Sequence, residues 1–182
     1  MIRGSSIIAE YYADNFDKDS IVTSWSVAKS FTSTLIGIAI DEGYINSIED
    51  PITNYLPDWK NQDQDKILLK HLLSMRSGME DHGFVYVVPD MVSHSLDRDI
   101  IRPPGAAFRY SNEDSMILGE IIQNATGMSF QEYADKKLFN LIGADETWWT
   151  DQEGNTISYA SIDMTPREFA KFGLMIAQEG DW

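Results

Sequence analysis

The chain has 182 residues, 43% of them hydrophobic and 12% aromatic, which suffices for one good-sized core and excludes a disordered or fibrous class. Its formal charge of -15, from 29 acids against 14 bases, repels phosphate backbones and anionic lipid, so nucleic acid is not an expected partner. The absence of cysteine removes disulfides, thiol catalysis and thiolate metal sites, and leaves the compartment open.

The N-terminal "MIRGSSIIAEYY" reads as the end of one strand, a Gly4-Ser5 turn and a second strand from Ile7 to Tyr12. It lacks the basic, apolar, small-residue order of a signal peptide. After the polar run Asp14 to Ser20 comes a helix that Ser24 can cap and Gly43 can end in the left-handed conformation. Val27, Phe31, Leu35, Ile36, Ile38, Ala39 and Ile40 leave little of its circumference polar, so it is expected at the centre of the molecule. Gly37 and Asp41 interrupt its most apolar run, well short of the roughly 20 residues a spanning helix needs.

Pro51, Pro57 and the run "NQDQDK" mark an irregular region, after which Ile67 to Met75 has a helical pattern that Gly78 closes. Met79 to Arg109 is expected to be loop, ending in the turn signal "RPPG". A second apolar helix should run from Asn112 or Glu113 to about Ala125. A third spans about Ser129 to Leu138, with a capping box at Ser129 and Glu132. A last helix opens on the box Thr165 to Glu168, with Pro166 at its first position, and should run to about Gln178. Strand-like sequence at the two ends and helices between them predict a helical region beside a sheet.

Lys29 is the one charge in "SIVTSWSVAKSFTSTLIGIAI", and Ser26 lies three residues before it, one helical turn away. A serine becomes a nucleophile when a neighbouring base takes its proton, and burial in an apolar helix can lower a lysine's pKa enough to serve. The helix N-terminus adds a positive end and N–H groups suited to an oxyanion. Ser-x-x-Lys also arises by chance about once in a chain of this size, and a lysine can snorkel from an apolar surface, so the spacing alone leaves both readings open.

The chain resembles the serine β-lactamase and penicillin-binding-protein superfamily, in its class C β-lactamase-related branch of esterases, D-peptidases and 6-aminohexanoate-oligomer hydrolases. The resemblance rests on "SWSVAKSFTSTLIGIAIDEG", "HLLSMRSGM", "PPGAAFRYSNEDSMILGEII" and "SFQEYADKKLFNLIGADET", in that order. It matches Ser26 and Lys29 to Ser-x-x-Lys, and Tyr110 and Asn112 to Tyr-x-Asn in place of Ser-Asp-Asn. It implies that Ser26 is acylated, that Lys29 and Tyr110 handle its proton, with the choice of base open between them, and that Asn112 binds substrate. A packing tyrosine and a helix-capping Ser111 or Asn112 are the plainer alternatives. Tyr44-Ile45-Asn46 also fits Tyr-x-Asn but sits at the far end of the helix, roughly 25 Å from Ser26. His71, His82 and His94 have no metal-ligand spacing and take no assigned role.

The fold so implied is α/β (α+β) of the β-lactamase/transpeptidase type, a helical subdomain packed on an antiparallel sheet. Residues 1–22 would hold partial N-terminal strands of the α/β part, 23–145 the nucleophile helix and helical subdomain, and 146–182 the return toward the α/β part. By the same resemblance the chain looks truncated at both ends, without the strand that carries a Lys-Thr-Gly or His-x-Gly element. Arg76-Ser77-Gly78 and Lys171-Phe172-Gly173 match that element only superficially. The implied function is acyl hydrolysis of an ester or amide, whether β-lactam, D-amino-acid peptide, linear oligoamide or short ester, without cofactor or metal. The alternative is a non-hydrolysing penicillin-recognising domain or an inactive remnant. An incomplete sheet would also favour self-association.

Overall fold

The computed structural model describes residues 1–4, 6–57, 59 and 64–182. Ser5 of the expected first turn, and Asn61 to Asp63 of the polar run, lie outside the described residues.

A two-residue pairing of β1 (Ile2–Arg3) with β2 (Ser6–Ile7) forms an N-terminal hairpin, and the expected strand does not continue to Tyr12. A second, three-stranded antiparallel sheet has the order β3 (Val22–Thr23), β5 (Ile162–Met164), β4 (Thr147–Trp148). Strand β5 is therefore central, joining the region just before Ser26 to the C-terminal part of the chain.

Helix α1 (Ala28–Asp41) lies against this sheet, with Ala28, Phe31, Leu35 and Ala39 fully buried. Phe31 stacks between Phe172 at 3.8 Å and Phe139 at 5.5 Å between ring centroids, with Phe169 edge-on at 6.2 Å. Aromatic pairs of this kind contribute about 0.5–1.5 kcal/mol each beyond area burial. The helix ends as expected: Gly43 has φ +78 and donates to the Ile40 carbonyl. Val27 departs from expectation; it precedes the helix and is exposed.

Helix α2 (Leu69–Leu73) is shorter than the Ile67 to Met75 pattern, because Met75 turns left-handed at φ +53. Gly78 does not close it. Its φ is +81, and a Cβ there would lie 2.2 Å from the Arg102 carbonyl oxygen, so glycine is required by the return of the 100–105 segment. The Met79 to Arg109 stretch is not all loop: it contains a 3-10 turn at Val85–Val87 and helix α3 (Met91–Leu96). Asp90 caps α3 by accepting from the Ser93 N–H at 2.9 Å, a signal too short to produce a sustained period.

Helix α4 (Asn112–Thr126) packs on α1 and α3, starts at Ser111 and ends at Gly127. Gly119 lets the 157–160 segment close on α4: a Cβ there would meet Ser158 Oγ at 2.6 Å. Helix α5 (Phe130–Ala134) continues through a π turn at Asp135–Phe139 into α6 (Asn140–Ile142). Ser129 caps α5 through the Glu132 N–H, without the reciprocal half of the expected box. Helix α7 (Pro166–Ala177) has the full box at Thr165 and Glu168. Among the described residues no helix is long and apolar enough to cross a membrane, and no group of three His, Asp or Glu could hold a metal ion.

Candidate active site

Ser26 sits in a 3-10 turn, Trp25–Val27, that feeds α1. Ser24 does not cap the helix. Its N–H donates to the Ile162 carbonyl at 2.7 Å, its Oγ accepts from the Ile162 N–H at 3.0 Å, and the same hydroxyl donates to the Trp25 carbonyl. The pairing with β5 thus extends from β3 to the residue before the turn. Trp25 is held at φ +45, a left-handed conformation rare for a bulky residue, immediately before Ser26.

Ser26 Oγ accepts from Lys29 Nζ at 3.3 Å and from the Tyr110 hydroxyl at 2.8 Å. Lys29 Nζ also donates to Asn112 Oδ1 at 2.8 Å and to the Tyr159 carbonyl at 2.9 Å. The sequence-predicted Ser26, Lys29, Tyr110 and Asn112 therefore meet in one cluster. Asn112 is not the cap of α4; Ser111 is, accepting from the Asp114 N–H at 3.0 Å, and this leaves the Asn112 amide for Lys29 and for Tyr86, whose hydroxyl accepts at 3.0 Å. Tyr44 stands at the other end of α1, edge-on to Tyr133.

Lys29 is partly buried, and burial is the main reason its pKa falls below the ordinary lysine value; Tyr110 and Glu113 pull it part of the way back. Burial pushes the Tyr110 phenol up, but the ammonium of Lys29 and the contact with Ser26 together outweigh it, and the phenol titrates below its ordinary value. Three acceptors around Nζ match the three donors of an ammonium.

Two members of this cluster are not evident from sequence. Tyr86 lies in an aromatic, apolar run between Gly83 and Pro89, and its ring meets that of Tyr159 edge-on at 5.3 Å. Tyr159 contributes a backbone carbonyl, which any residue could supply; the neighbouring Ser158 carbonyl accepts from Thr32 Oγ1 at 2.5 Å, so two side chains one turn apart on α1 bind successive carbonyls. His71 bonds locally, its Nδ1 accepting from the Leu68 N–H at 3.1 Å. Gly173 and Lys171 lie on α7, and Arg76 to Gly78 follow α2, so neither Lys-Thr-Gly lookalike is on a strand.

A helical layer against an antiparallel sheet, with this polar cluster at their junction, defines a β-lactamase/transpeptidase-like fold. A family model described as Beta-lactamase matches residues 2–180, and the chain belongs to that family. It is 27% identical over 203 aligned residues to a 6-aminohexanoate-dimer hydrolase of Paenarthrobacter ureafaciens, covering 99% of this chain and 51% of that protein. It is 30% identical over 132 residues to a beta-lactamase of Escherichia coli K12, covering 68% of this chain and 33% of that protein. In structure it superposes with a TM-score of 0.86 and 23% identity on a Bacillus anthracis protein described as a candidate 6-aminohexanoate-dimer hydrolase, covering 96% of this chain and 52% of the other. The chain spans about half or less of the length of these relatives.

Proposed function

We propose that the protein is a serine acyl hydrolase in which Ser26 is the nucleophile. The observation that carries this reading is the double contact at Ser26 Oγ, to Lys29 Nζ at 3.3 Å and to the Tyr110 hydroxyl at 2.8 Å. A hydroxyl between an amine and a phenol has a proton acceptor at hand, which a serine in an ordinary helix turn lacks.

In this reading Tyr110, which donates to Ser26 Oγ while protonated, first loses its proton with the help of the Lys29 ammonium, and the phenolate then accepts the Ser26 proton as Oγ attacks the substrate carbonyl carbon. The tetrahedral adduct collapses, the carbon bond to the leaving nitrogen or oxygen breaks, and Tyr110 returns the proton to that leaving group. Water then attacks the acyl-Ser26 ester, releases a carboxylic acid and restores the hydroxyl. Lys29 remains the cation that lowers the phenol, and Asn112 and Tyr86 offer polar groups to the acyl side. The full complement of acceptors around Lys29 Nζ favours the phenol over the amine as base. The substrate in this reading is an amide or ester, and similarity to proteins named 6-aminohexanoate-dimer hydrolase and beta-lactamase supports trying a linear amide and a β-lactam first.

Incubation of the purified protein with a fluorophosphonate or a chromogenic short ester, followed by intact-mass and peptide mapping, tests the reading. The expected result is a mass increase located on Ser26 and absent in Ser26→Ala. No adduct in wild type, or one that persists in Ser26→Ala, would overturn it.

A further inference from the structure

The proposed chemistry makes no use of a buried ion pair directly behind Tyr110. Arg98 Nη2 donates to Asp114 Oδ1 at 2.9 Å, and both side chains are 1% exposed. The same carboxylate oxygen accepts from Ser77 Oγ at 2.9 Å. Arg98 Nε reaches the Ser95 carbonyl at the end of α3, and its Nη1 reaches the Glu80 carbonyl at 3.2 Å and Ser111 Oγ at 3.4 Å. Ser111 Oγ is also the cap of α4. One guanidinium therefore ties α3, the segment after Gly78 and the first turn of α4 to one another.

Ser111 lies between Tyr110 and Asn112, the two residues that reach Ser26 and Lys29. The Tyr110 side chain is half exposed, so packing does not fix its place. What holds its backbone is the Arg109 N–H to the Met75 carbonyl on one side and Ser111 on the other. Buried ion pairs are weak contributors to stability, since apolar replacements of similar volume are often neutral or better. Such a pair at this place is better explained by the geometry it imposes.

We propose that the Arg98–Asp114 pair is a positioning device that, through Ser111, fixes Tyr110 and Asn112 against Ser26 and Lys29. Its effect on rate rests on the nucleophile reading above, whereas its effect on the placement of Tyr110 does not. The groups that act on the Tyr110 hydroxyl are Ser26 and Lys29 at the start of α1 and Tyr86 from the Val85–Val87 turn, while Glu113 of α4 acts on Lys29 and Tyr86. Displacing the phenol from Lys29 removes the charge that lowers it.

The test is the double variant Arg98→Met/Asp114→Leu, checked for fold by circular dichroism, with two readouts. One is the rate of adduct formation at Ser26 with a fluorophosphonate. The other is titration of the Tyr110 phenol by NMR of ring-labelled tyrosine, assigned with Tyr110→Phe. The expected result is a folded protein whose adduct forms roughly 10²-fold more slowly and whose Tyr110 titrates closer to free tyrosine. Arg98→Lys, which keeps the charge but not the planar fork, should fall between. A folded double variant with wild-type rate and wild-type phenol titration would overturn the proposal. If wild type forms no adduct, the nucleophile reading fails and the phenol titration alone decides: a shift upholds the positioning role and no shift overturns it. Should the double variant not fold, Ser111→Ala cuts the link and leaves the pair, with the same outcomes read in the same way.

Discussion

Helix α7 begins with both halves of a capping box, Glu168 N–H to Thr165 Oγ1 at 3.3 Å and Thr165 N–H to Glu168 Oε2 at 2.8 Å, whereas the turn that carries Ser26 ahead of α1 has no side-chain cap. The serine in the right place for a cap, Ser24, is diverted to β5, and Trp25 is pushed to φ +45. A helix start whose donors are satisfied by its own side chains is closed to ligands; one anchored by a strand from behind keeps its front open. The contrast separates a helix start that serves stability from one available for chemistry, and substitutions at the two ends should have effects of different kinds.

The largest effect is expected at Lys29. Lys29→Met keeps the apolar stem and removes the ammonium, and should slow adduct formation at Ser26 by about 10³-fold with little loss of melting temperature, read by stopped mass spectrometry and thermal denaturation. In wild type the rate should rise with pH as Tyr110 loses its proton, along a limb below the ordinary phenol range, and fall as Lys29 loses its own. Lys29→Met should move the rising limb to higher pH, because the cation that lowers the phenol is gone. A rising limb that stays in place would count against Tyr110 as base.

Ser24→Ala should affect both properties. It leaves the Ile162 N–H without its side-chain acceptor, a loss of about 1–3 kcal/mol in denaturant titration. It also loosens the anchor of the Ser26 turn, which then rests on the backbone bond from the Ser24 N–H to the Ile162 carbonyl, so adduct formation should slow by about 10-fold, less than for Lys29→Met. Thr165→Ala sharpens the contrast from the other side: about 1 kcal/mol of stability lost with an unchanged rate of Ser26 modification. A slowed rate in Thr165→Ala would erase the distinction between the two helix starts.

The smallest effect is expected at Glu146, between α6 and β4, whose carboxyl neighbours Asp135 of the π turn. Burial, and then the neighbouring Asp135 carboxylate, push the Glu146 carboxyl up, with the Gln131 amide bonded to both acids. A folded-state value above the unfolded one means that the native chain binds more protons, so stability falls as pH rises above the ordinary carboxylate range. Glu146→Gln should therefore gain about 1–2 °C in melting temperature at pH 8 and nothing at pH 4, with acylation unchanged.

Much of the site was legible because its signals are local. Ser26 and Lys29 are separated by one turn, and Tyr110 and Asn112 by one residue, so short-range geometry keeps each pair together once the segments fold. Gly43 and the Thr165 box announced helix ends in the same way. The Met79 to Arg109 stretch was harder, because α3 is too short to show a period and Gly78 answers to the distant Arg102 carbonyl rather than to its own helix.

By itself the sequence determined the apolar character of α1, the solitary lysine within it, the serine one turn before and the order of the segments that resemble the β-lactamase superfamily. Only the tertiary structure decided which partners those groups meet. The Lys29 amine finds a carbonyl 130 positions away at Tyr159, Ser24 leaves its own helix for Ile162, and Arg98 crosses to Asp114 behind Tyr110. Backbone carbonyls and buried pairs of this sort carry no periodic or compositional mark. They exist only when packing brings remote segments within hydrogen-bond distance, where the cost of leaving a buried polar group unpaired selects the arrangement that satisfies it.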